Sequence, residues 1–245
     1  MFLSNQLLYN LKMKLESITL DDHLKPAVYP DSFDELQEAW RLLGLTHEQP
    51  TIVIVGGAGG MSEDDVARVQ MFFEKHLIPF ARNKNAAIIE GGTDSGVMAA
   101  IGRARNLTRG DFPLIGVLAR DIDMIGIMLE PHHTHFIFCP GSNWGDESEW
   151  IAAAASALSG SQPTIAILIN GGQIAWEDAR LNIKYGRPVL IAEGSGRTAD
   201  VIATTSTGKI LDRQAISLLR TGKVHVANFF KEPERFIEKL NDFMK

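Results

Sequence analysis

From Thr51 onward one pattern repeats four times: a short apolar run ends at a glycine-rich turn, and an amphipathic stretch of helical length follows. The runs are Thr51-Ile-Val-Ile-Val55 into Gly56-Gly-Ala-Gly-Gly60, Ala86-Ala-Ile-Ile-Glu90 into Gly91-Gly-Thr-Asp-Ser-Gly96, Thr164-Ile-Ala-Ile-Leu-Ile169 into Asn170-Gly-Gly172, and Pro188-Val-Leu-Ile-Ala192 into Gly194-Ser-Gly-Arg197. Strands that read as unbroken apolar runs are buried on both faces, and intervening helices make them parallel. Further strands are predicted at 113–118, at 135–138 and near 224–226. Helices are predicted behind a Ser62 cap, through Ala104, over 147–158 behind an Asp146 cap, and over 233–243. The expected fold is α/β, a doubly wound, mainly parallel sheet with helices on both faces, spanning 51–245. Residues 1–50 read as an N-terminal helical extension, from Phe33, Leu36, Trp40 and Leu43 at helical spacing before Gly44.

Glycine at the carboxyl end of a parallel strand lets a ligand approach the backbone, and the next helix offers unpaired N–H groups and partial positive charge. Phosphates collect at such places. One cluster alone is more often just a tight turn; four on one sheet edge point to a composite pocket. Its candidate ligand contacts are Gly56, Gly57, Ala58, Gly59, Gly60, Gly91, Gly92, Thr93, Asp94, Gly96, Asn170, Gly171, Gly172, Gln173, Gly194, Ser195, Gly196 and Arg197. The spacing departs from G-x-G-x-x-G and no G-x-x-x-x-G-K-[ST] occurs, so neither a standard dinucleotide dehydrogenase nor a Walker ATPase is indicated.

Arg197 is suited to a bidentate phosphate contact or to a surface salt bridge. Asp94 is suited to ribose hydroxyls or to capping the next helix. Trp144 and Trp150 suit base stacking or burial, and Glu147 and Glu149 suit the positive end of a helix. His133 and His135 share a strand face with Cys139 nearby, but no C-x-x-C or H-E-x-x-H accompanies them, and no metal is expected.

The 24 Lys plus Arg against 30 Asp plus Glu give a net charge of −6, which disfavours a nucleic-acid partner. A single cysteine, Cys139, and the lysines Lys12 and Lys14 within the first apolar stretch indicate a cytoplasmic protein. No apolar run reaches the roughly 18 residues of a membrane span, so any membrane effector would be a separate partner. A homodimer is the default assembly.

The blocks Val55-Gly-Gly-Ala-Gly-Gly60, Glu90-Gly-Gly-Thr-Asp-Ser-Gly-Val-Met98, Leu129-Glu-Pro-His-His-Thr-His-Phe136 and Gly194-Ser-Gly-Arg-Thr-Ala-Asp200 resemble, in order, the LSDAT branch of the SLOG superfamily. That branch includes the cytosolic N-terminal region of melastatin-type TRP channels, and the resemblance covers roughly Thr51 to Thr205. It implies a Rossmann-like sensor of a nucleotide-derived ligand such as ADP-ribose or NAD, with no further cofactor, and adds Thr134 and His135 to the candidate contacts. Gly91 to Met98 and Gly171-Gly-Gln-Ile-Ala-Trp-Glu177 are similar, more distantly, to Lonely Guy phosphoribohydrolases. Ile174 and Ala175 replace that family's glycine and threonine, leaving Glu177 as the candidate acid of an alternative, N-glycosidic hydrolase reading. A structural or assembly protein with a relic pocket is the second alternative.

Overall fold

The computed structural model describes residues 13–245. Its framework is one nine-stranded sheet. In chain order the elements are β1 (Leu15–Leu20), β2 (His23–Val28), α1 (Leu36–Leu42), β3 (Thr51–Gly56), α2 (Glu63–Phe72), α3 (Ile78–Asn83), β4 (Ala87–Glu90), α4 (Gly96–Leu107), β5 (Leu114–Ala119) and β6 (His135–Cys139). There follow α5 (Ser148–Ser159), β7 (Thr164–Ile169), α6 (Gln173–Lys184), β8 (Val189–Glu193), α7 (Arg197–Ser206), α8 (Arg213–Leu219), β9 (Val224–Asn228) and α9 (Pro233–Phe243). A π-turn over Phe73–Leu77 joins α2 to α3.

The strand order is β1-β2-β6-β5-β4-β3-β7-β8-β9, parallel throughout except for the β1–β2 pair. The chain lays down β3, β4, β5 and β6 in one direction, then returns to place β7 on the other side of β3. That reversal is a topological switch point, where the crevice beyond the carboxyl ends of an open α/β sheet opens. The four glycine-ended runs of the sequence are β4, β3, β7 and β8, which lie side by side.

Alternation along the strands divides the core between the two faces. Val53 and Val55 pack with Trp40, Ile151 and Leu158 on the α1 and α5 side. Ile52 and Ile54 pack with Phe72, Ile101 and Phe236 on the side of α2, α4 and α9. The Ser62 hydroxyl caps α2, accepting from the Asp65 N–H at 3.1 Å, as its sequence predicts.

The reading of the segment before residue 50 as helical needs correction over 15–28, where β1 and β2 form a hairpin. Asp21 and Asp22, with φ of 45° and 62°, adopt the left-handed pair that a two-residue hairpin turn demands. The open edge of β6 then receives Ala27 and Val28 beside Phe136 and Ile137. Among the described residues before 50, helix is confined to a 3-10 turn at Phe33–Glu35 and to α1. Asp146 does not cap α5 either. Its carboxylate accepts the Ser142 and Asn143 N–H groups at 2.9 and 3.0 Å, and Glu147 occupies the cap position.

Two glycines are required by close approach. A Cβ at Gly56 would lie 2.6 Å from the Val97 Cβ, because the first turn of α4 rests on the end of β3. Gly96, at φ +51°, faces the Gly57 carbonyl with no room for a side chain. The Val97 N–H donates to that same carbonyl at 3.2 Å.

Candidate ligand-binding site

At the switch point the ends of β3, β4 and β7 and the starts of α5, α6 and α7 enclose a cavity of about 390 Å³, within the ~300–1,000 Å³ range of small-molecule sites. One flank is built from backbone. The loop of Gly56, Gly57, Ala58 and Gly59 lines it together with Gly172 and Gln173. Among the described residues, the N–H groups of Ala58, Gly59 and Gly60 donate to no protein acceptor, and neither do those of Gln173, Ile174 and Ala175 in the first turn of α6. Helix geometry leaves the α6 donors unpaired, and the glycines leave the loop donors unshielded.

Arg197 completes this flank. It sits at φ 48°, a left-handed position that a non-glycine residue occupies at a cost. Its Nη1 donates to the Gly59 carbonyl at 2.6 Å, and no ion pair engages it among the described residues. The surface salt-bridge reading of Arg197 is therefore not what the structure holds. Behind Arg197, Asn170 and Ser195 tie the ends of β7 and β8 to each other and to the first turn of α7. The Asn170 N–H donates to the Ser195 Oγ at 2.7 Å, its Nδ2 donates to the Ser195 carbonyl at 2.8 Å, and its carbonyl receives the Ala199 N–H at 2.9 Å. The Asn170 Oδ1 is buried without a hydrogen-bond partner among the described residues.

The opposite flank is acidic and apolar. Asp178 on α6 and Glu147 at the head of α5 line the cavity with Met98 and Ile151, while Trp144 and Ile174 stand at its mouth, 44% and 38% exposed. Burial pushes Asp178 up to about 7, with Glu147 and Glu177 adding to the rise and the Ser148 side chain opposing it. Burial also raises Glu147, against its own N–H and that of Gly145, which donates to it at 2.9 Å.

Of the sequence-predicted contacts, Gly56, Gly57, Ala58, Gly59, Gly91, Thr93, Gly172, Gln173 and Arg197 line the cavity. Gly60, Gly92, Gly96, Asn170, Gly171, Gly194, Ser195 and Gly196 shape the turns behind it. Asp94 neither caps α4 nor reaches the cavity; it faces the groove between α2 and α4 and pairs with Arg103 at 3.1 Å. Thr134 and His135 are also outside. The Thr134 hydroxyl brackets Leu114, accepting its N–H at 2.9 Å and donating to its carbonyl at 2.8 Å, at the amino end of β5. Burial pushes the His135 ring down to about 4, against a backbone hydrogen bond with Leu43.

Glu177 requires the clearest correction. It points to solvent and pairs with Arg180 at 2.5 Å, because the face of α6 that meets the cavity carries Ile174, Ala175 and Asp178. The signal for Asp178 was the helical spacing of three and four residues from Ala175 and Ile174. Glu147 was legible only as a helix-terminal acid, and Trp144 could not be told from Trp150, which packs in the core against Phe33.

A second acidic group supports the site from outside. His133 precedes β6 and is fully buried between Glu90 and Glu130: its Nε2 bonds to Glu90 and its Nδ1 to Glu130, the latter at 2.8 Å. Burial alone would discharge the ring, but the two carboxylates outweigh it and lift His133 to about 9. Glu90 also accepts the Gly92 N–H at 2.9 Å, and the Glu130 N–H donates to the Gly92 carbonyl at 3.0 Å. The cluster thereby fixes the Gly91 to Thr93 wall of the cavity. Among the described residues no group of three or more His, Cys, Asp or Glu is arranged to hold a metal ion, and no helix is long and apolar enough to cross a membrane.

Comparison with known proteins places this architecture. The crystal structure of TM1055 superposes with a TM-score of 0.56 at 20% identity, covering 78% of this chain and 99% of the other. The molybdenum cofactor binding protein of Rippkaea orientalis gives 0.55 at 12% identity, covering 81% of this chain and 99% of its own. These likenesses are of fold. In sequence, the chain is 24% identical over 221 residues to the transient receptor potential cation channel subfamily M member-like 2 of Nematostella vectensis, and 26% identical over 208 residues to subfamily M member 2 of Mus musculus. These matches take in 70% and 67% of this chain but 14% of each channel, so the chain spans about one seventh of the relatives' length. The family model described as SLOG in TRPM, prokaryote, matches residues 49–238, and the chain belongs to that family.

Proposed function

We propose that this domain is a cytosolic sensor of a nucleotide-derived, phosphate-bearing ligand of the ADP-ribose or NAD class, and that it passes the binding signal to a separate effector at the membrane. One observation carries the reading: an arginine without a carboxylate partner among the described residues, and N–H groups of a glycine loop and of the first turn of α6 that none of those residues engages, converge on one cavity at the switch point. Kinship with a family described as SLOG in TRPM supports a sensing role, and a homodimer is the simplest assembly to couple it.

The test is calorimetry and thermal shift with AMP, NAD and ADP-ribose, with molybdenum cofactor as a competing ligand because the Rippkaea orientalis fold neighbour is named for it. A ligand at 100 times its Kd adds about 2.7 kcal/mol of stability if it binds only the native state. Arg197→Ala should weaken the binding ligand by about 1.5–3 kcal/mol, the range of a hydrogen bond to a charged group. Unchanged affinity in that variant would remove the anion site.

A second reading, hydrolysis of an N-glycosidic bond, is favoured by the two carboxylates inside the cavity, with Asp178 titrating near neutrality as an acid–base group must. Its candidate acid is Asp178 rather than Glu177. Release of base that survives Asp178→Asn would dismiss Asp178 as that acid, and no release of base from any nucleotide would dismiss the reading.

A further inference from the structure

We propose that the cavity has two chemically opposite ends, and that Asp178 and Glu147 form a subsite for the vicinal diol of a ribose whose phosphate lies against Arg197 and the Gly57 to Gly60 loop. This rests on the anion-binding reading above and extends it to a second group of the same ligand.

The placement of charge on the two helices is the starting observation. Glu149 and Glu177 lie on the outer surface of α5 and α6, where Lys184 and Arg180 pair with them at 2.6 and 2.5 Å. Glu147 and Asp178, two residues before and one residue after them, turn inward to the cavity and pair with no cation among the described residues. Arg197 lines the same cavity, yet it is more than salt-bridge distance from both and bonds to the Gly59 carbonyl instead. The cation and the carboxylates therefore form separate ends.

Recessed carboxylates without a cation are costly to keep, and the cost is offset when a ligand brings hydrogen-bond donors. Adjacent hydroxyls are neutral donors, and two of them match two neighbouring carboxyl groups, one able to hold a proton while the other accepts. The burial-driven rise of Asp178, to which Glu147 contributes, is consistent with such sharing. Trp144 and Ile174 at the mouth supply a flat apolar surface for the base of the same ligand. The one acidic residue that the glycine-rich turns suggested for a ribose, Asp94, is occupied by Arg103 in another groove.

The experiment is a calorimetric cycle at pH 8. AMP and ADP-ribose, each beside its 2′-deoxy form, and 2′,3′-dideoxy-AMP are titrated into the full chain, into Asp178→Ala and into Arg197→Ala. The unaltered protein should lose about ten- to a hundredfold in affinity when the diol is removed. Asp178→Ala should bind the hydroxyl and deoxy forms within about twofold of each other, whereas Arg197→Ala should weaken every ligand and keep the preference. Asp178→Asn, which resembles the protonated acid in shape, provides the same comparison should the alanine variant unfold. Equal affinity for all forms in the unaltered protein, with Arg197 still required, overturns the diol subsite and leaves the anion site standing. An undiminished preference in Asp178→Ala and Asp178→Asn also overturns it. Failure of every nucleotide to bind overturns both readings.

Discussion

Replacing His133 by glutamine removes the buried cation that Glu90 and Glu130 share. The ring rests at about 9 in the folded protein and at about 6.5 when unfolded, a difference of roughly 2.5 units or about 3 kcal/mol. Because the folded value is the higher one, this stabilisation is fully present below about pH 6.5 and is lost as pH rises through about 9. Glutamine keeps hydrogen-bonding capacity but removes the charge that bridges the two buried carboxylates, leaving His132 as the remaining histidine on Glu130, a change of the kind that costs about 3–5 kcal/mol. Urea unfolding at pH 6, 7.5 and 9.5 measures both effects. The gap between the native protein and His133→Gln should be widest at pH 6 and should narrow by about 3 kcal/mol by pH 9.5. A gap that stays constant across that range would show that His133 is not charged in the fold, and the account of the Glu90–His133–Glu130 cluster would fail.

Asp178→Asn should stabilise the protein above pH 7, since the native carboxyl, raised to about 7, is costly to ionise in place. The sign follows from a folded value above the unfolded one: the native acid's contribution is intact at low pH and lost as pH rises from about 4 to 7. Melting curves that show no gain at pH 8, or an equal gain at pH 3.5, would contradict this. Gly102→Ala should lower the urea midpoint although alanine favours helix by about 1 kcal/mol. A Cβ there would enter the Glu130 carboxyl, and overpacking of a closed core costs about 1–3 kcal/mol. A more stable variant would refute that packing.

The apolar runs and their glycine endings determined the parallel sheet, because a strand covered on both faces must be apolar throughout and a βα turn over a close neighbour must be glycine. Gly56 and Gly96 show how far that inference reaches: both are required, but by Val97 and by the Gly57 carbonyl rather than by a ligand. The backbone-lined flank of the cavity was legible for the same reason, since backbone donors follow from the turn and not from a side chain's surroundings. The hairpin of β1 and β2 was not, because it depends on a left-handed Asp21-Asp22 pair and on an open edge at β6 that is far away in sequence. Nor was the acidic flank. Glu147 and Glu149 are two residues apart on one helix, Glu177 and Asp178 adjacent on another, and only the docking of α5 against α6 over the sheet turned Glu147 and Asp178 into the cavity and their neighbours towards lysine and arginine. His133 passed for one of a pair with His135 until the fold enclosed it between Glu90 and Glu130. Sequence fixes which groups a segment carries; which of them lose water together, and so change their chemistry, is decided by elements that meet only in the folded chain.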